Sequence, residues 1–179
     1  IPLSFYFQSA NGFLKEMGVA NSEGVMTLGQ VSEIFFLLLV PWFFRKLGVK
    51  NMLLIGMGFW ILRYVFFAQA DAQTHMLLYL GVLFHGICYD FFFVSGQIYT
   101  DFKAGSQFKS SAQGLITLAT YGLGMLVGFR IAGKITDLYT IDSTHDWTQI
   151  WLIPSGFAFF VLIFFILTFK DEKIKLENE

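Results

Sequence analysis

Charge is scarce in this sequence. Asp, Glu, Lys and Arg make up 14% of its 179 residues, against about 25% in an ordinary soluble domain. The formal net charge is −1, so no basic field exists to hold nucleic acid. A single cysteine, Cys88, excludes an intramolecular disulfide framework and reads as a small apolar packing residue. No Pro/Gly/Ser-rich linker divides the chain, and the opening residues lack the basic n-region and cleavage site of a signal peptide. What the sequence has instead is apolar mass: 55% hydrophobic residues, 23 of them Phe, with a mean hydropathy of +0.60. A surface this poor in charge belongs in lipid.

A bilayer core of about 30 Å takes roughly 20 apolar helical residues to cross. That ruler predicts an all-α membrane protein with six transmembrane helices near 1–14, 25–44, 52–70, 76–100, 112–135 and 150–169, in one compact unit. The first is short, and the chain begins at Ile1 inside an apolar run, which predicts a piece of a longer protein. Lys and Arg fall unequally on the two sides. Arg45, Lys46, Lys50, Lys103, Lys109, Lys170, Lys173 and Lys175 share one side, and Lys15 and Lys134 the other. The first set, including the tail 170–179, is therefore expected in the cytoplasm. The longest outer loop, Thr140–Thr148, carries Asp142, His145 and Asp146 and reads as a solvated loop rather than a metal site. Gly124 and Gly128 form a small-xxx-small pair suited to close helix packing. Pro41 and Pro154 are candidate kinks, and the four tryptophans include candidate interfacial anchors.

Ionisable side chains inside such segments cost about 2.5–3.5 kcal/mol each and need a partner or a wet cavity. Glu33, Arg63, Asp90 and Arg130 are of this kind. Gln30 and Glu33 lie three apart, on one helix face. A carboxylate beside an amide suits a hydroxyl-rich solute, since both accept from hydroxyls and the amide also donates; a carboxyl in lipid is also a candidate proton carrier. His85 and Tyr89 stack four apart, with Asp90 about 100° round the helix, offering an aromatic wall and an acid. Arg63, past the middle of its helix, can snorkel to the outer interface, and both it and Arg130 read as structural. No Gly-x-Ser-x-Gly, His-Glu-x-x-His, Cys-x-x-Cys or phosphate loop occurs, so no enzyme activity and no cofactor are expected.

Gln30-Val31-Ser32-Glu33 together with Tyr89-Asp90-Phe91-Phe92 resembles the carboxy-terminal half of the bacterial nucleoside:proton symporters of the major facilitator superfamily. Arg45-Lys46-Leu47-Gly48-Val49-Lys50 is similar to that family's basic loop between helices eight and nine. Ser111-Ala112-Gln113-Gly114-Leu115 is similar to the start of helix eleven, and Asp146-Trp147-Thr148-Gln149-Ile150-Trp151 to the approach to helix twelve. The resemblance implies a twelve-helix permease in a bacterial inner membrane, of which this chain is the second six-helix half and whose amino-terminal half is missing here. The implied partners are a nucleoside, the proton and the lipid bilayer. Gln30 and Glu33 would then contact the nucleoside at its ribose hydroxyls, Asp90 would share the cavity, and Tyr89 would wall it. Glu33 and Asp90 become the proton-coupling candidates. His85 stands where the family pattern has tyrosine. Ser4 and Phe7 stand where the family places solute-facing amides, with Gln8 the nearest amide. A sugar transporter of the same fold and a stand-alone membrane scaffold are the rival readings.

Overall fold

The computed structural model describes residues 1–73, 75–142 and 144–170. Helix α1 spans Pro2–Glu16, α2 Ser22–Gln69 and α3 His75–Tyr89. A wide π turn at Asp90–Val94 leads into α4, Ser95–Thr117. A second wide turn at Leu118–Gly124 leads into α5, Met125–Leu138. A minimal hairpin of β1 (Thr140–Ile141) and β2 (Thr144–His145) precedes α6, Trp147–Thr168. In lipid every backbone N–H and C=O must be paired inside its own element, which leaves a chain of this composition little choice but helix.

The 48-residue α2 is not one rod. Its residue Gly29 lies against His85, and Arg63, 34 positions further along, hydrogen-bonds the same histidine. In a straight helix those residues would stand about 51 Å apart. The chain reverses at Gly48, whose φ of 74° and ψ of 167° are open to glycine almost alone. The first arm of α2 therefore returns antiparallel to the second. Gly105 breaks α4 in the same way, and across it Gln113 Nε2 donates to Gln97 O at 2.8 Å and to Asp101 Oδ1 at 2.7 Å.

Helix α3 packs between the two arms of α2. On the first arm, Ser32 Oγ donates to Leu83 O, and a Cβ on Gly86 would stand 2.5 Å from the Ser32 carbonyl carbon and oxygen. On the second arm, a Cβ on Gly56 would stand 2.9 Å from Phe92 N. Without a hydrophobic drive between helices in lipid, such small-residue contacts carry the packing.

Two apolar clusters fill the interior. The larger gathers Phe13, Tyr64, Phe67, Trp147 and Trp151, with Tyr64 and Trp151 stacked at 5.4 Å. The smaller, toward the Gly48 turn, holds Val40, Phe44, Met52 and Phe91. Three of the four tryptophans are thus core rather than interfacial anchors. Trp42 alone is exposed, with the Lys46 ammonium 4.8 Å from its ring centre.

One end of the molecule is stitched by polar contacts. His75 Nε2 donates to Met17 O at 3.1 Å and Thr148 Oγ1 to Ala68 O at 3.0 Å. Glu16 accepts from Trp147 Nε1 at 2.7 Å and meets His145 Nδ1 at 2.6 Å. Asp146 caps α6 through Gln149 N. The loop read as solvated is mostly exposed among its described residues, with His145 and Trp147 tied to Glu16, and among the described residues no cluster able to hold a metal occurs. Of the tail 170–179, all but Lys170 lies outside the described residues.

Two predictions follow from this packing. Gly86→Ala forces α3 off the first arm and should cost about 1–3 kcal/mol, read as a lowered midpoint in thermal unfolding by tryptophan fluorescence. Gly96→Ala, where a Cβ meets nothing within 4 Å, should leave the midpoint unchanged or raise it. Glu16→Ala removes two hydrogen bonds to a charged acceptor, each worth about 1.5–3 kcal/mol, and should lower the same midpoint while leaving helix content unchanged by circular dichroism.

Candidate functional site

The close crossing of α3 with both arms of α2 gathers the polar side chains into one group. Glu33, on the first arm, is about one-third exposed, and its Oε2 lies 3.7 Å from Nε2 of His85. His85 itself is buried. On its other side Arg63 Nη1 donates to His85 Nδ1 at 2.8 Å. The three form a row across the bundle, carboxylate, imidazole and guanidinium. Gln30 lies one turn before Glu33 and is exposed.

Arg63 is fully buried, so it does not snorkel to the interface. No carboxylate stands within ion-pair distance of it among the described residues. Its charge is met by rings instead: the guanidinium carbon sits 3.7 Å from the centre of Tyr6, with Trp60 at 5.4 Å and Phe67 at 5.6 Å. Cation–π contact in a dry site contributes about 2 kcal/mol. Cys88 completes the surround, 3.6 Å from Nη1, and donates its own S–H to His85 O. Nε and Nη2 make no hydrogen bond within the protein.

Tyr89 extends the group. Its ring lies 5.4 Å from that of His85, and its hydroxyl bonds the Tyr121 hydroxyl in the second wide turn. The next residue, Asp90, opens the first wide turn. It is wholly buried, and among the described residues neither carboxylate oxygen has a hydrogen-bond partner. Wide turns of this kind are rare and gather at functional positions.

Helix α1 contributes differently from the sequence reading. Ser4 is fully buried, donating to Met125 Sδ at 3.3 Å, and a Cβ on Gly128 would collide with it. Its place is the α1–α5 contact. Gln8, with its amide oriented by its partners, donates to Phe129 O and accepts from Gly133 N, both at 3.1 Å, so that amide is committed to α5 as well. Phe7 is about half exposed beside Tyr6 at 5.9 Å between ring centres. Tyr6 is the α1 residue that enters the group, stacked on His85 at 5.1 Å. Tyr6, Tyr121 and the role of Arg63 were missed from sequence. Only Arg63 had a signal there, a charge in mid-segment that needs a counterpart.

Two apolar cavities, of about 230 and 380 Å³, adjoin Met57, Phe92, Phe93, Thr120 and Val161. Neither is lined by Gln30, Glu33, His85 or Asp90.

The described residues thus form an almost wholly helical molecule, with three helices long and apolar enough to cross a membrane and a polar group set among them. The chain belongs to the nucleoside H+ symporter family, whose model matches residues 1–174. It is similar to YegT of Escherichia coli strain K12, at 39% identity over 96% of this chain and 42% of that protein. It is 35% identical to the xanthosine permease of the same organism, over 84% of this chain and 38% of the permease. A crystal structure of the nucleoside transporter NupG, in an aspartate-to-alanine mutant, superposes with a TM-score of 0.87 at 29% identity. The match covers 94% of this chain and 46% of that one. The chain spans less than half the length of the curated relatives it matches.

Asp90 yields a prediction of its own. A buried carboxylate without a partner is destabilising by about 1–3 kcal/mol, so Asp90→Asn should raise the thermal midpoint by several degrees. An unchanged or lower midpoint would reveal a partner for the ionised group.

Proposed function

We propose that this chain is the second half of a twelve-helix permease of the major facilitator superfamily that couples nucleoside uptake to proton entry. Counting α1, the two arms of α2, the two hairpin strokes from His75 to Leu138, and α6 gives six spans. Contacts between 16–17, 68–75 and 145–148 gather one set of turns, and Gly48 and Gly105 lie at the reversals between them. The first set is extracellular on this reading. The Gly48 and Gly105 turns, rich in Lys and Arg, face the cytoplasm with the tail, by the positive-inside rule. The membrane is the bacterial inner membrane.

The observation that carries the reading is the polar row of Glu33, His85 and Arg63, set in apolar helices of a chain whose family is that of nucleoside H+ symporters. The solute lies at midplane between the two halves, and access alternates as they rock. Gln30 and Glu33 bind sugar hydroxyls, Tyr89 and the exposed Phe7 offer flat apolar surface to a base, and Asp90 borders the same cavity. Ser4, enclosed by Met125 and Gly128, has no direct part in binding. Protonation of Glu33 or Asp90 removes a charge from the site and permits closure around the solute, so the proton gradient drives accumulation. No cofactor and no bond-making chemistry are involved.

Uptake of labelled uridine and adenosine by the complete protein, in cells without their own nucleoside transporters, tests this. Saturable uptake abolished by a proton uncoupler is expected, and its absence despite confirmed membrane expression would overturn the substrate assignment. Gln30→Ala should raise the uptake KM about tenfold or more, since a lost hydrogen bond to a buried polar solute costs about 1–3 kcal/mol. Glu33→Gln should abolish accumulation against a gradient; retention of full accumulation would remove Glu33 from the proton role.

A further inference from the structure

The row Arg63–His85–Glu33 has a direction that follows from the chemistry of its members. Arginine carries five N–H donors, accepts nothing and keeps its proton at any physiological pH. Its Nη1 lies 2.8 Å from His85 Nδ1, so Nδ1 must accept with its lone pair. The single ring proton is then on Nε2, the nitrogen 3.7 Å from Glu33. A second proton on the ring would break the bond to Arg63 and set two buried cations side by side. Among the described residues, the titratable or charged groups around the ring are Glu33 on the first arm of α2 and Arg63 on the second. Tyr6 of α1 stands beside it, as do Cys88, Tyr89 and Asp90 from its own stretch of chain, with Tyr121 bonded to Tyr89.

We propose that Arg63 is a positioning residue: it fixes His85 as the neutral Nε2–H tautomer, so that the ring presents Glu33 with the N–H end of a fixed dipole and never carries the transported proton. The aromatic surround serves this end. A carboxylate partner would draw the guanidinium donors to itself, whereas Tyr6, Trp60 and Phe67 hold the guanidinium in place and leave Nη1 directed at the ring. Glu33 then sees a fixed dipole whatever the pH, and the titrating site is confined to carboxylates.

The proposal rests on the transport reading only for its second test. The first is ring-15N-histidine NMR of the complete protein in lipid nanodiscs, with the His85 signals assigned by their loss in His85→Gln. The expected result is an unprotonated Nδ1 and a protonated Nε2, unchanged between pH 8 and 5.5. A protonated Nδ1 or an imidazolium at either pH overturns the proposal, whether or not nucleosides are transported. The second test compares uptake from pH 7.5 to 5.5. In Arg63→Met the guanidinium no longer occupies the Nδ1 lone pair, so the ring can take a second proton there and pair with Glu33. Uptake should then fall about tenfold relative to the unaltered protein at pH 5.5 and not at pH 7.5. Adding His85→Gln should abolish the acid-side fall. Arg63→Lys, which keeps a cationic donor, should keep the original profile. A purely structural Arg63 would instead lower uptake equally at every pH, with no change on adding His85→Gln, and that outcome overturns the proposal. Should Arg63→Met fail to reach the membrane, the tautomer of the unaltered protein and the Arg63→Lys profile still decide. A correct tautomer in a protein that takes up no nucleoside would refute the substrate assignment and leave the tautomer lock intact.

Discussion

The closeness with which α3 lies against the two arms of α2 is the constraint on which the rest depends. At Gly86 the α3 backbone lies against the backbone and hydroxyl of Ser32 on the first arm, and Gly56 gives the second arm the same access to the start of the wide turn. Only at that spacing does Arg63, arriving from one arm, reach the same imidazole that faces Glu33 on the other. In water, hydrophobic burial would draw these helices together with any side chains that fit. In lipid the neighbours are as apolar as the helices, and the fit itself must supply the attraction. The polar group is therefore a product of glycine packing, and not a set of residues placed on an indifferent scaffold.

Buried charge is handled here in an economical way. Arg63 and Asp90 are both enclosed, yet they are not each other's counter-ion: the cation faces rings, an imidazole and a thiol, while the acid has no hydrogen-bond partner among the described residues. Pairing them would have been electrostatically favourable and chemically final, since an aspartate tied to an arginine holds its proton loosely and its place firmly. Keeping them apart leaves the acid available, at a cost to stability that the aromatic core of Phe13, Tyr64, Phe67 and Trp151 offsets.

The apolar runs were plain in the sequence because lipid imposes length and composition on each crossing, and the charges within them marked Glu33, Asp90 and His85 as residues needing an explanation. The reversals at Gly48 and Gly105 were legible as basic turns. The partners were not. Nothing local in Tyr6 or Tyr121 separates them from the other aromatics, which are 19% of the chain; contacts with His85, 79 residues from Tyr6, and with Tyr89, 32 residues from Tyr121, decide it. Arg63 was misjudged because a long cationic side chain can reach the interface from that depth, and only the crossing with α3 shows that it turns inward. Ser4 looked available because its alignment gave a position without a direction, and the Gly128 gap that receives it is more than a hundred residues away. The wide turns at Asp90–Val94 and Leu118–Gly124 left no trace in hydropathy, since both halves of each bulge are apolar.

Those two turns have a consequence for how such a chain can change over time. A π turn is an α-helix holding one residue more than its register allows, so everything beyond it is rotated by about 100° relative to an uninterrupted helix. The turns stand on the two strokes of a single hairpin, and Tyr89 and Tyr121 join them across it. Gln97, Asp101 and Gln113 all lie between the two turns, and their contacts fasten the strokes at the reversal, while the Tyr89–Tyr121 bond fastens them at the turns. The hairpin is thus held at two heights, and a residue gained or lost at either turn would misalign one fastening from the other.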